Sequence, residues 1–260
     1  MDHALSVFLI AASLFGGMLL CLDVGRRLGV RRLRREAGGA GEGVTAVDGA
    51  VFGLLGLLIA FTFSGASARF DARRHLIVEE TNAIGTAYLR LDLLPAAAQP
   101  SLRDGFRRYL DSRLAAYRKL PDVQAAKEEL ARSNRLQGEI WREAVSAVRA
   151  DGAQPSAAML LLPALNAMID ITTTRTMATQ MHPPTIVFAL LIGLALSASL
   201  LAGHGLTGGG MRSWLHMFAF ALVMAISVYV ILDLEYPRLG LIRVDAFEQA
   251  LVDLRESMGR

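Results

Sequence analysis

Between Gly49 and Leu94 the chain reads GAVFGLLGLLIAFTFSGASARFDARRHLIVEETNAIGTAYLRLDLL. The stretch has no proline, and its glycines fall at helical spacing. Its first 20 residues, Gly49 to Ala68, carry no charge, and as a helix they match a hydrocarbon core of ~30 Å. Arg69, Asp71, Arg73, Arg74 and His75 then arrive together, with nothing at the junction to break a helix. One continuous rod of ~69 Å is predicted. Less than half of it fits a bilayer, so this rod must join a membrane bundle to a soluble domain.

Composition agrees. Hydrophobic residues make up 53% of the 260-residue chain, above the usual share for soluble domains. They concentrate in four runs, Ala4–Leu22, Gly49–Ala68, Pro183–Gly203 and Trp214–Leu232, none of which contains Lys, Arg, Asp or Glu. Each has about the spanning length, which favours an integral membrane protein over a soluble protein with buried helices. Cys21, the only cysteine, lies in the first run, so no intramolecular disulfide is possible. Asp2 and His3 replace the positive start of a secretion signal, and Leu19 and Leu20 stand where a lipoprotein cleavage site needs a small residue. The first run is read as a retained helix.

Arg26, Arg27, Arg31, Arg32, Arg34 and Arg35 follow the first run and precede the glycine-rich loop Gly38–Gly43. They carry a topology signal, a patch for anionic lipid, or both, and either role places the loop in the cytoplasm. The N-terminus, the segment Arg69–His182 and the C-terminus then lie outside. The net charge of +3 comes mostly from this cluster and gives no reason to expect nucleic acid.

The expected segments are 1–68 (membrane helices one and two with the basic loop), 69–182 (a helical soluble insert), 183–234 (membrane helices three and four) and 235–260 (a tail with a short amphipathic helix). Inside the insert, Ser101 and Asp104 look like a capping box before Leu102, Phe106, Tyr109, Leu110, Leu114 and Tyr117. Pro121-Asp122 opens the next helix, with Leu130, Leu136, Ile140, Trp141, Ala144 and Val148 on its apolar side. Ala150–Pro155 is a break. A third helix carries Leu162, Leu165, Met168, Ile169, Thr172 and Met177, with a kink expected at Pro163. In the tail, Asp245 and Glu248 repeat the capping pattern before Phe247, Leu251 and Leu254. The fold class is all-α.

No catalytic constellation is visible. The five histidines are scattered without metal spacing, and Gly208-Gly209-Gly210 lacks the lysine of a phosphate loop. No enzyme and no cofactor are expected.

The second membrane helix carries small residues at Gly49, Gly53, Gly56, Ala60, Ser64 and Ser67, in steps of three and four along one face. Such a face lets helix backbones approach closely, or it lines a pore. In the pore reading Thr62, Ser64 and Ser67 meet ions near the polar end, and Phe61 with Phe63 forms an apolar constriction. Gly56 is where a bulky residue would block approach, and Leu55 is its lipid-facing neighbour. Farther along, Phe70, Ile77, Ile84 and Leu91 recur every seven residues as a packing seam. Arg73, Arg74, Glu79, Glu80, Asn82 and Thr86 flank it, as a polar layer or an ion vestibule, with Asp71–Arg74 and His75–Glu79 pairs at helical spacing. Asp233 and Glu235 close the fourth run and are expected to pair with Arg238 or Arg243.

Three pieces together resemble the bestrophin-like family of bacterial membrane proteins. They are Gly53-Leu54-Leu55-Gly56-Leu57-Leu58 with Phe61-Thr62-Phe63-Ser64; Arg69-Phe70-Asp71-Ala72-Arg73-Arg74 with Glu79 through Arg90; and Asp233-Leu234-Glu235-Tyr236-Pro237-Arg238-Leu239-Gly240-Leu241-Ile242-Arg243. The resemblance covers nearly the whole chain. It implies a homo-oligomeric ion channel, pentameric by analogy with bestrophins, whose second membrane helix lines the pore, in a bacterial inner membrane. Asp233, Glu235, Pro237, Arg238, Gly240 and Arg243 stand as its C-terminal motif. The chain lacks a run of consecutive acids like the bestrophin calcium clasp, so calcium gating is not implied. Bestrophins keep both termini and the insert in the cytosol, opposite to the arginine count; the arginines carry the reading here. The alternative function is a non-conducting scaffold or sensor whose insert binds a partner.

Overall fold

Helix formation begins before Gly49. In the computed structural model, which describes residues 3–35, 42–120, 122–206, 211–237, 240–242 and 244–259, helix α2 runs unbroken from Glu42 to Leu89, 48 residues or ~72 Å. A 3-10 turn, Arg90–Leu93, follows. Pro95 then forces Leu94 into extended backbone, because a proline ring clashes with a preceding helical residue.

Among the described residues there are eight α-helices and no strand. Besides α2 they are α1 (His3–Arg35), α3 (Gln99–Arg118), α4 (Val123–Val148), α5 (Pro155–Gln180), α6 (Thr185–Gly205), α7 (Met211–Glu235) and α8 (Asp245–Ser257). Among the described residues four helical stretches are long and apolar enough to cross a membrane: Ala4–Arg32, Ala46–Leu93, Pro155–Gly205 and Trp214–Glu235. The all-α membrane architecture expected from the sequence is therefore the one observed.

The chain divides into two units, Met1–Ala68 with His182–Leu241, and Arg69–Met181 with Ile242–Arg260. In the first, α1 and α6 cross with their backbones in contact. Gly25 lies against the Leu200 carbonyl and Gly203 against the Leu22 carbonyl, so neither position has room for a side chain. Met18, Leu22, Ala195, Ala198 and Ser199 are fully buried. Helix α7 packs on α1 through an edge-to-face contact of Phe15 and Phe218, 5.3 Å between ring centroids. It meets α2 through Phe52 and Phe220, at 6.1 Å.

The second unit has a conventional apolar core. Ile77, Ile84 and Leu91 of the heptad seam are buried and Phe70 is half-buried, packed with Leu102, Phe106, Leu110, Ile140, Leu161, Leu165 and Met168. Leu251 and Met258 of the tail enter the same core. Leu254 lies against Gly85, so that a methyl group on that glycine would sit only 3.4 Å from the leucine side chain. Arg255 clamps Asp111 with two hydrogen bonds, 2.8 and 3.0 Å. Glycine at 152 has φ +83°, the left-handed backbone that turns the chain between α4 and α5.

Local details differ from expectation. Helix α3 starts at Gln99 with Pro100 in its first turn, so its cap is Ala98, which has no side-chain bond. Ser101 is already inside the helix, and Asp104 pairs with Arg108 at 3.0 Å. A proline preorganised for the first turn sets the start before a serine can. Helix α8 likewise begins at Asp245 with Val244 at the cap. Asp122 does cap α4, accepting from the Ala125 N–H at 3.0 Å; its neighbour Pro121 is outside the described residues. Pro163 lies within α5, which continues through it. Met177 is exposed rather than on the apolar side.

Candidate functional site

Each residue turns a helix by ~100°, and that rotation divides α2 cleanly over its membrane length. Leu55 and Ala66 are buried on one side. Gly53, Gly56, Ala60, Phe61, Phe63 and Ser64 are exposed away from Leu55, and Ser67, which shares the face of Gly53 and Gly56, is half-buried. Among the described residues, nothing outside its own stretch of helix lies within 4 Å of where a side chain at Gly49, Gly53 or Gly56 would begin. Among the described residues Gly49, Gly53 and Gly56 seat no neighbouring helix, whereas Gly25 and Gly203 each lie against a neighbouring backbone. Leu55, expected to face lipid, instead points inward and is 2% exposed, because it sits two steps of 100° from Gly53. The Thr62 hydroxyl is spent on its own helix, donating to the Leu58 carbonyl at 2.7 Å.

Past the membrane segment the six polar residues of α2 separate. Glu79, Asn82 and Thr86 are exposed, and so is His75. Arg74 pairs with Asp71 at 3.0 Å, as expected; His75 and Glu79 do not form the expected pair. Arg73 turns inward and is buried. Its Nε donates to the Ala178 carbonyl at 3.2 Å and its Nη2 to the Met181 carbonyl at 3.1 Å, which satisfies the open carbonyls at the end of α5.

Glu80 is fully buried at the centre of a charged network. Arg113 Nε donates to Glu80 Oε1 at 2.6 Å, and Arg175 Nη1 donates to Oε2. Arg175 lies 4.1 Å over the Tyr117 ring, and Arg113 donates to the Tyr117 hydroxyl. Glu248 of α8 supplies the second acid, 3.7 Å from Arg175 Nη2. Burial pushes the Arg113 pKa down, but Tyr117 and Glu80 beside it hold it above its ordinary value, so the guanidinium stays charged. Beside it Gln137 Nε2 donates to the Tyr109 hydroxyl and to Thr172 Oγ1, both at 3.0 Å. Burial pushes the Tyr109 phenol up, which keeps it neutral. Two cations paired with two acids in the interior of the insert tie α2, α3, α5 and α8 together.

At the end of α7, Asp233 and Glu235 are buried. Both oxygens of Asp233 accept from the Leu241 N–H, each at 3.1 Å. Gly240 lies directly against that carboxylate, so any side chain there would collide with it. Pro237 is buried in the intervening turn. Glu235 Oε2 is 3.4 Å from His182 Nδ1, and His182 stacks on Tyr236 with centroids 4.5 Å apart. Arg238 and Arg243, the expected partners, lie outside the described residues, as does Gly208-Gly209-Gly210. Among the described residues no group of three or more His, Cys, Asp and Glu is placed to hold a metal.

The family model of the bestrophin-like domain matches residues 12–246. Crystal structures of a bacterial bestrophin homologue from Klebsiella pneumoniae share the fold at 16% identity. One, with a tyrosine-to-alanine substitution, gives a TM-score of 0.65 over 92% of this chain and 98% of that one. Another, with a tryptophan-to-alanine substitution, gives 0.66 over 98% and 99%. A crystal structure described as a membrane protein with a proline-to-alanine substitution gives 0.61 over 93% and 98%, also at 16% identity. No curated protein matches the sequence.

Proposed function

We propose, given that this chain belongs to the bestrophin-like family, that it is an oligomeric ion channel whose subunits surround an axis with α2 facing it. The observation that supports this reading is the bare half of α2. A span that carries small residues, an exposed Phe61 and an exposed Ser64, and that leaves them uncovered by its own chain, has a surface for an axis and for neighbouring copies. Gly53, Gly56, Ala60, Ser64 and Ser67 then line or border the pore, and Phe61 and Phe63 narrow it. In the insert, Glu79, Asn82 and Thr86 are the exposed polar residues of α2, available to ions as a polar layer of that unit. Five subunits are the expected number by analogy, in a bacterial inner membrane, with the Arg26–Arg35 end of α1 in the cytoplasm against anionic lipid.

Purified protein of verified oligomeric mass, fused into planar bilayers, is expected to give discrete conductance steps. Silence across several salts and pH values would turn the reading toward a non-conducting scaffold. Orientation is tested separately. A reporter active only in the cytoplasm, fused after Arg260, is expected to stay inactive; activity would reverse the orientation without touching the channel reading.

A further inference from the structure

We infer that the seam between α1 and α7 is a binding site for one anionic phospholipid, its phosphate held by Arg26 beside Trp214. This rests on the reading that the arginine-rich end of α1 meets anionic lipid, and it narrows that reading to one place. The Arg26 guanidinium lies 5.7 Å from the centroid of the Trp214 ring, and its Nη1 is buried with no hydrogen-bond partner among the described residues. Arg27 is next in the chain and is held by Asp23 at 2.7 Å. Arg31 is exposed one turn on. Asp23 is the one acid in α1, so this end of the helix carries a cationic surplus. Trp214 opens the apolar run of α7 and is 46% exposed, the level at which tryptophans settle between headgroups and tails.

Below these two residues the seam is apolar. Phe15 and Phe218 touch edge to face, and Phe218 and Leu222 keep large exposed surfaces on the α7 side. A fatty chain laid along them brings a phosphate to the level of Arg26. A zwitterionic lipid would bring its own cation to the same place and lose the attraction. Each arginine near an anionic surface favours the charged lipid by roughly fivefold.

The chain has two tryptophans, Trp141 and Trp214, and Trp141→Phe leaves Trp214 as the only reporter. In that variant, phosphatidylcholine vesicles doped with brominated phosphatidylglycerol are expected to quench Trp214 severalfold more than vesicles with the same share of brominated phosphatidylcholine. Arg26→Gln is expected to equalise the two, and Arg26→Lys to keep most of the difference. Equal quenching in the Trp141→Phe protein overturns the site. So does a preference that Arg26→Gln leaves intact. If total phosphatidylglycerol bound by the protein still exceeds its share of the vesicle in either case, the broader anionic-lipid reading survives and the seam alone is withdrawn.

Discussion

Helix α2 is bare along its first half and deeply packed along its second. In the membrane half, Leu55 and Ala66 are the buried residues among those described; beyond it, Arg73, Ile77, Glu80, Ile84 and Ala87 are all inside. The contrast follows from the solvent. In water an apolar seam must be covered by the same chain or by a stable partner, and the insert covers it with α3, α5 and α8. In a bilayer the lipid tails accept an uncovered leucine or phenylalanine without penalty. A bare membrane face therefore costs nothing and stays available for other work, whereas a bare face in the insert would have been selected against by stability alone.

Breaking the packed half should have the largest effect. Glu80→Ala leaves Arg113 and Arg175 buried together without their shared acid, and removing one partner of such a group costs ~3–5 kcal/mol. The insert is expected to lose its cooperative melt by circular dichroism; a midpoint within experimental error of the parent would mean that the network is not what holds the helices.

The bare half offers a matched pair of adjacent positions. Leu55→Ala removes an inward-facing side chain and should cost ~2 kcal/mol or more, read as a lowered thermal midpoint in detergent. Gly56→Leu adds bulk to open space, so the same midpoint should hold. The change is expected in the particle mass, by size exclusion with light scattering, and in conductance. If Gly56→Leu keeps both mass and conductance, the uncovered face of α2 is simply facing lipid.

Gly240→Ala tests the turn after α7, where a methyl would strike the Asp233 carboxylate. A drop of ~1–3 kcal/mol is expected from forced repacking, seen as reduced yield and a lower midpoint. At the other extreme, Asp71→Asn cuts an exposed pair with Arg74 that contributes less than ~0.5 kcal/mol. Its melting curve should overlay the parent's, which makes it the control for charge removal from α2.

The four apolar runs and the heptad of Phe70, Ile77, Ile84 and Leu91 made most of the fold legible in the sequence, because periodicity survives without knowledge of partners. The site was less legible. Glu79 and Glu80 are adjacent acids, indistinguishable by type, and a rotation of ~100° sends one to water and the other to the centre of the insert. The partners of Glu80 lie 33 and 95 residues away, beyond any local pattern. A signal was nevertheless present. Arg113 interrupts the apolar face that runs through Phe106, Tyr109 and Tyr117, and Arg175 does the same after Leu165, Met168 and Thr172. A cation on an apolar face points to a buried acid. The caps of α3 and α8 were misplaced for a simpler reason: serine and aspartate within a turn of the true start look the same as serine and aspartate at it.

The crossing of α1 and α6 has a consequence for motion. Where side chains separate two helices, rotamer changes let them slide; where Gly25 and Gly203 set backbone on backbone, there is no side chain at the contact to rearrange. The pair should behave as a single strut, its amides among the slowest in this unit to exchange with deuterium. Helix α2, the least buried of the four spans among the described residues, is expected to exchange faster than this pair.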